Sequence, residues 1–308
     1  MTGFSATDAA LEGFRITRER PKALMAWTAF CFAYNALNVL ITVNLPAEVR
    51  AALNWIETDP GQAPDPQVLA SALTLLSPLL VFGLAVQCVM AAAVYRIILR
   101  PGDEKFSYLR LGKDELRLMA LTLIYVMLVV VFVAAGTLAV GIVAFVASFF
   151  GQSALAFVFA VAELFVLGLL FYVGVRMSLA PVVTFDRNRL AIFDSWAITE
   201  GQFWRLLGAY VLAICCMVVV SLLALTLFGM VAGIVILLTG GAWTDVTAVF
   251  NPDETKLASF LTPVMIAYMI VGSVFTAMSY AVVAAPGAWA YRELTGRGEA
   301  SPAPAAEI

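Results

Sequence analysis

YRIILRPGDEKFSYLRLGKDELRLMAL, residues 95–121, is a charged interval between two of the most apolar runs in the chain. It opens on Arg96, meets a proline at Pro101 and regains apolar character at Leu118. The interval is too short to be a domain. On each side lies a stretch longer than the ~20 apolar residues that cross a hydrocarbon core, so it reads as a connection between two membrane helices. The device returns 80 residues later as VRMSLAP (175–181), where Arg176 again stands five positions before a proline.

Composition extends this reading to the whole chain. Of 308 residues, 62% are hydrophobic and 13% charged, and the mean hydropathy is +0.95. Such values exclude a soluble globular chain. Six stretches are long enough to span: about 23–43, 68–95, 118–150, 154–180, 206–238 and 257–290. The expected fold is therefore an all-α polytopic bundle of six transmembrane helices, flanked by an N-terminal segment (1–22) and a disordered tail (293–308). The longer stretches predict tilt or kinks, and Pro78 lies in the middle of span 2. No cleaved leader is expected, because mostly polar residues precede a first span too long for a signal core.

Charge placement orients the bundle. Of the 18 basic residues, only Arg50 and Lys256 fall on the side holding Glu48, Glu57, Asp59, Asp65, Asp245, Asp253 and Glu254. The rest collect at the other end, which by the positive-inside rule places both termini in the cytoplasm. An odd number of spans would destroy this sorting.

Local signals refine the connections. PAEVRAALNWIE (46–57) predicts a short surface helix with Val49, Leu53 and Ile56 on one face and Trp55 as anchor. Asn251, Pro252 and Glu254 predict the start of span 6. Spans 3 and 4, joined only by Gly151, Gln152 and Ser153, form a tight hairpin. On the cytoplasmic side, Leu190, Phe193 and Ala197 predict an interfacial helix between spans 4 and 5. Thr199 and Gln202 make a capping-box pattern before span 5. The connection between spans 2 and 3 is a plainer version, with Tyr108 corresponding to Trp196 and Arg117 to Arg205. FRITRERP (14–21) and WAYREL (289–294) are fainter copies, and together they predict three helical hairpins as parallel repeats.

The stretch VRMSLAPVVTFDRNRLAIFDSWAITEGQFWRLLGAYVLA (175–213) resembles the glycerophosphoryl diester phosphodiesterase membrane-domain family and related six-span bacterial membrane proteins. The resemblance is carried by Arg176, Pro181, Asp186, Ser195-Trp196, Thr199 with Gly201, and Phe203-Trp204-Arg205. It implies fold and a bacterial plasma-membrane location but little about activity, since in two-domain members the chemistry belongs to an attached soluble phosphodiesterase. No segment of that size lies between the spans.

Candidate sites follow from the residues. The chain has no histidine, which removes the commonest general base. The four cysteines, Cys31, Cys88, Cys215 and Cys216, all fall in predicted spans and read as small buried groups rather than metal ligands. Asp103, Glu104, Asp114, Glu115, Asp186, Asp194 and Glu200 could hold Mg²⁺ against a lipid headgroup, yet they alternate with basic residues like a solvated rim. Neither catalysis nor a cofactor is expected. Glu163, with Gln87 and Asn35 in the same range of depth, predicts an intramembrane polar cluster, either a pathway or a packing contact. Arg96, Arg100, Arg110, Arg117, Arg176, Arg205, Trp196 and Trp204 are the expected contacts for anionic phospholipid headgroups or for a cytosolic or membrane protein partner. Gly229 and Gly233 have the small-xxx-small spacing of a homo-oligomer contact. Nucleic acid is not an expected partner. A non-catalytic accessory or scaffold module leads this reading, ahead of a small-solute or lipid transporter around Glu163 and a lipid-headgroup enzyme.

Overall fold

The computed structural model describes residues 4–47, 49–50, 66–238, 240 and 252–296. The regular elements are α1 (Ala6–Glu19), α2 (Pro21–Val43), α3 (Pro66–Leu99), α4 (Lys113–Ser148), α5 (Gln152–Met177), α6 (Ala180–Arg187), α7 (Asp194–Ile198), α8 (Phe203–Leu238), α9 (Leu257–Phe260) and α10 (Pro263–Leu294), with a single turn at Lys105–Tyr108. Six of them, α2, α3, α4, α5, α8 and α10, are long and apolar enough to cross a membrane. The protein is an all-α polytopic bundle.

α10 is its hub and lies against α1, α2, α3 and α8. Its fully buried positions Ala277, Ala281, Ala285 and Ala288 recur at three- and four-residue steps. Small side chains let neighbouring backbones approach closely, which is how helices gain packing energy where lipid tails are as apolar as leucine. α4 and α5 stand to one side as a hairpin whose turn uses Gly151 at φ 100, a conformation open to glycine. Phe157, Leu164 and Phe165 on α5 are exposed, as befits a face turned to lipid.

The N-terminal segment is more than a polar leader to span 1. Ser5 caps α1 by accepting the Asp8 amide at 3.3 Å, and Ala9, Ala10, Gly13, Ile16 and Thr17 form its buried face. A β-carbon on Gly13 would lie 2.5 Å from Val282 Cα, so α1 is pressed onto the backbone of α10. Glu12 is buried in this interface and accepts Arg15 at 2.7 Å. The signal in the sequence is the pattern SATD followed by small residues at helical spacing.

Several expectations change. Asn251 lies outside the described residues, and span 6 does not start at Pro252 or Glu254. It starts at Pro263, capped by Thr262 accepting the Met265 amide at 3.2 Å. Pro181 lies beyond the end of the spanning helix: α5 ends at Met177, and Pro181 occupies the first turn of α6. Leu190, Phe193 and Ala197 do not share one helix, because Asn188 at φ 54 ends α6 and α7 begins only at Asp194. Thr199 and Gln202 form no capping box. The Thr199 hydroxyl donates to the Arg176 and Ser195 carbonyls, at 3.1 and 2.8 Å. In the other connection, Glu115 does accept the Gly112 amide at 2.9 Å, the returning half of such a box. Pro286 is a second proline inside a spanning helix. Arg15 pairs with Glu12 rather than repeating the role of Arg96. In the connection between α2 and α3, Val49 packs with Ala72, while Leu53, Trp55 and Ile56 lie outside the described residues, as does the tail from 297 onward.

Candidate functional site

The basic end of the bundle is a lattice of paired charges. Arg96 and Arg176, expected to meet headgroups, turn inward: only 3% and 7% of their surfaces are exposed. Arg96 pairs with Glu115 at the start of α4 and donates to the Tyr108 carbonyl at 2.8 Å. Phe185 lies beneath two guanidinium groups, with Arg96 at 5.6 Å and Arg100 at 4.6 Å from its ring centroid. Arg100 also donates to the Phe185 carbonyl at 3.2 Å. Asp114 accepts Arg117 at 2.9 Å, and Arg117 reaches the Asn188 side chain at 3.1 Å. Arg110 pairs with Asp103. Together these contacts tie α3, α4 and α6 into one platform.

Arg176 is held differently. Its carbonyl accepts the hydroxyls of Ser195 at 2.7 Å and Thr199 at 3.1 Å, and its guanidinium covers Trp196 at 4.6 Å. The hydroxyl residues of the SW-x-x-T pattern thus clamp the end of span 4. Trp196, Tyr172, Phe203 and Trp204 touch ring to ring in that order, with centroids 5.2–5.9 Å apart, and Trp204 and Arg205 are exposed at the edge.

In the connection after α3, Phe106, Ser107 and Tyr108 are three consecutive non-glycine residues in the left-handed region, at φ 53, 55 and 67. Each such residue costs about 1–2 kcal/mol. The turn persists because Trp27 donates to the Ser107 carbonyl at 2.9 Å, Arg96 holds the next carbonyl and Arg20 bonds the Tyr108 hydroxyl. Burial pushes the Tyr108 phenol above its ordinary pKa.

Asn35, Gln87 and Glu163 do not form one cluster; each lines a separate cavity. Glu163 is exposed in a groove of about 380 Å³ between α4 and α5, among Gly136, Gly141 and apolar side chains. Asn35 faces a crevice of about 350 Å³ between α2 and α10, with Asn38, Thr42 and Thr276, and donates to Ser273 at 3.1 Å. Gln87 opens a third cavity of about 220 Å³ nearer the basic end, with Tyr95, Ser178, Tyr210 and Tyr280.

The last two cavities share a wall. Tyr268, Gly272 and Thr276 line the first, and Tyr280, Ala284 and Gly287 the second. From Tyr268 to Ala284 these recur every four residues, which is one face of α10. The i+4 run of Tyr, Gly, Thr, Tyr and Ala was present in the sequence and was masked by the high hydropathy around it. Gly233 is buried within the single chain and Gly229 is half-buried.

Comparison with protein-family models, with curated proteins and with solved structures gives no match.

Proposed function

We propose that the protein is a non-catalytic accessory or scaffold module of a bacterial plasma membrane, with both termini in the cytoplasm, that organises lipids or a protein partner. One observation carries the reading. Of the seven acids that a lipid-headgroup enzyme would use, all but Glu200 are engaged: Asp103, Glu104, Asp114, Glu115 and Asp194 by arginines, and Asp186 by the Tyr291 hydroxyl at 2.7 Å. Carboxylates whose lone pairs already accept guanidinium or phenol donors are poor metal ligands and poor bases. They instead make the cytoplasmic end stiff, and a stiff platform suits a docking role. The resemblance of residues 175–213 to the glycerophosphoryl diester phosphodiesterase membrane domain points the same way.

A second reading, a transporter of lipids or small solutes, draws on the two cavities stacked along α10 rather than on Glu163. Gentle-detergent purification followed by mass spectrometry of lipids and proteins separates the two. The scaffold reading expects a stoichiometric partner or enriched anionic lipid that is lost on Trp204→Ala with Arg205→Ala. Protein carrying only bulk lipid, together with solute exchange in proteoliposomes, would favour transport.

A further inference from the structure

The cavity behind Gln87 holds polar groups that the protein leaves unused. Tyr95 is 6% exposed, yet its hydroxyl, the Tyr280 hydroxyl and the Gln87 amide have no hydrogen-bond partner among the described residues. Tyr210 is placed deliberately beside them. Its hydroxyl would lie 2.6 Å from a β-carbon on Gly287, so the glycine is what lets the phenol enter, and Ser178 lines the same space. Polar groups without partners are costly at bilayer depth, and a cavity onto which several of them open is suited to receive donors and acceptors from elsewhere.

The lining also says what kind of molecule fits. No charged side chain faces the space, and the guanidinium of Arg96, next to Tyr95 in the chain, is committed to Glu115 and the Tyr108 carbonyl. An ionic headgroup would therefore enter without a counter-charge. Access is from the side: Gln87 is exposed and Val283 is 55% exposed, and both lie well inside their helices rather than at an end. A molecule arriving by that route comes from the bilayer.

We propose that this cavity binds the headgroup of an uncharged membrane amphiphile, whose carbonyl or hydroxyl oxygens meet the hydroxyls of Tyr95, Tyr210 and Tyr280 and the amide of Gln87 while its acyl or prenyl tail stays in the lipid beside Val283. Two sources share this chemistry, a diacylglycerol and a prenylated quinone. The inference rests on the lipid-handling side of the proposed function. It fails separately, because a protein partner could co-purify whether or not this cavity is occupied.

The test uses the full chain in phosphatidylcholine nanodiscs carrying a trace of a photoactivatable lipid with its reactive group beside the head. Three arms use diacylglycerol, a prenylated benzoquinone and phosphatidylglycerol. Labelling by either neutral lipid should map to residues 87–95 and 280–287, which also identifies the source. It should fall about five-fold for each hydroxyl removed in Tyr95→Phe and Tyr280→Phe, and be blocked when Ala91→Leu fills the space. If the phenylalanine variants do not fold, Gln87→Leu at the exposed mouth must produce the same loss. Equal labelling by phosphatidylglycerol, labelling indifferent to these substitutions, or no labelling by either neutral lipid, as expected of a cavity holding only water, would overturn the proposal.

Discussion

Arg96 and Glu115 form an ion pair in which each side chain is 4% exposed, joining the end of α3 to the start of α4. Two charges withdrawn from water are stable only together. Arg96→Ala or Glu115→Ala should therefore cost about 3–5 kcal/mol, because each leaves the other charge buried and alone. The double substitution Arg96→Met with Glu115→Leu should recover most of that loss. Thermal unfolding in mild detergent checks both, and equal damage from single and double variants would show that the pair is not the source of the effect.

The left-handed turn at Phe106–Tyr108 gives a prediction of opposite sign. Ser107 is half-buried and at φ 55, so Ser107→Gly removes a steric cost and should stabilise the protein by about 1 kcal/mol. Trp27→Phe, which deletes the indole donor to the Ser107 carbonyl, should loosen the turn and speed proteolysis there. A destabilising Ser107→Gly would contradict the strain argument.

At the α1–α10 contact, Gly13→Ala places a methyl group against Val282 backbone, and the helices must separate. The expected loss is about 1–3 kcal/mol, as for other overpacked interfaces. Gly102→Ala, with nothing within 4 Å of the added carbon, should be nearly silent. Hydrogen exchange of residues 6–19 should rise only in the first variant.

The connection before α10 carries a pH signature. Hydrogen bonds from Lys256 and Thr255 hold the Asp253 carboxyl well below its ordinary value of 3.8. For a carboxyl depressed in the folded state, the stabilising contribution is present above the ordinary value and is lost as pH falls through the folded one. Lys256, raised above 10.5 by Asp253, loses its share only as pH rises through its own elevated value. Amide exchange at residues 255–259, corrected for intrinsic rates, should stay constant through neutral pH and accelerate in strong acid. Asp253→Asn should remove that acid step.

Glu163→Gln tests the remaining expectation for the intramembrane carboxylate. Because Glu163 sits in the α4–α5 groove, away from the α10 face, the substitution should leave both thermal unfolding and neutral-lipid labelling unchanged. A changed labelling pattern would tie the groove to the Gln87 cavity after all.

Apolar run length, the sorting of charge between the two ends and the glycine turn between α4 and α5 were all readable along the chain, since each is a local property. They determined the fold class and the number of spanning helices. The tertiary structure alone decided which way Arg96 and Arg176 point, where α1 docks, and that Asn35, Gln87 and Glu163 open into three different cavities. The reason is rotational. In a soluble helix the apolar stripe announces the buried face. Here the spanning helices are apolar nearly all round, so their rotation is settled by close contacts between small residues and by hydrogen bonds such as that of Asn35 with Ser273.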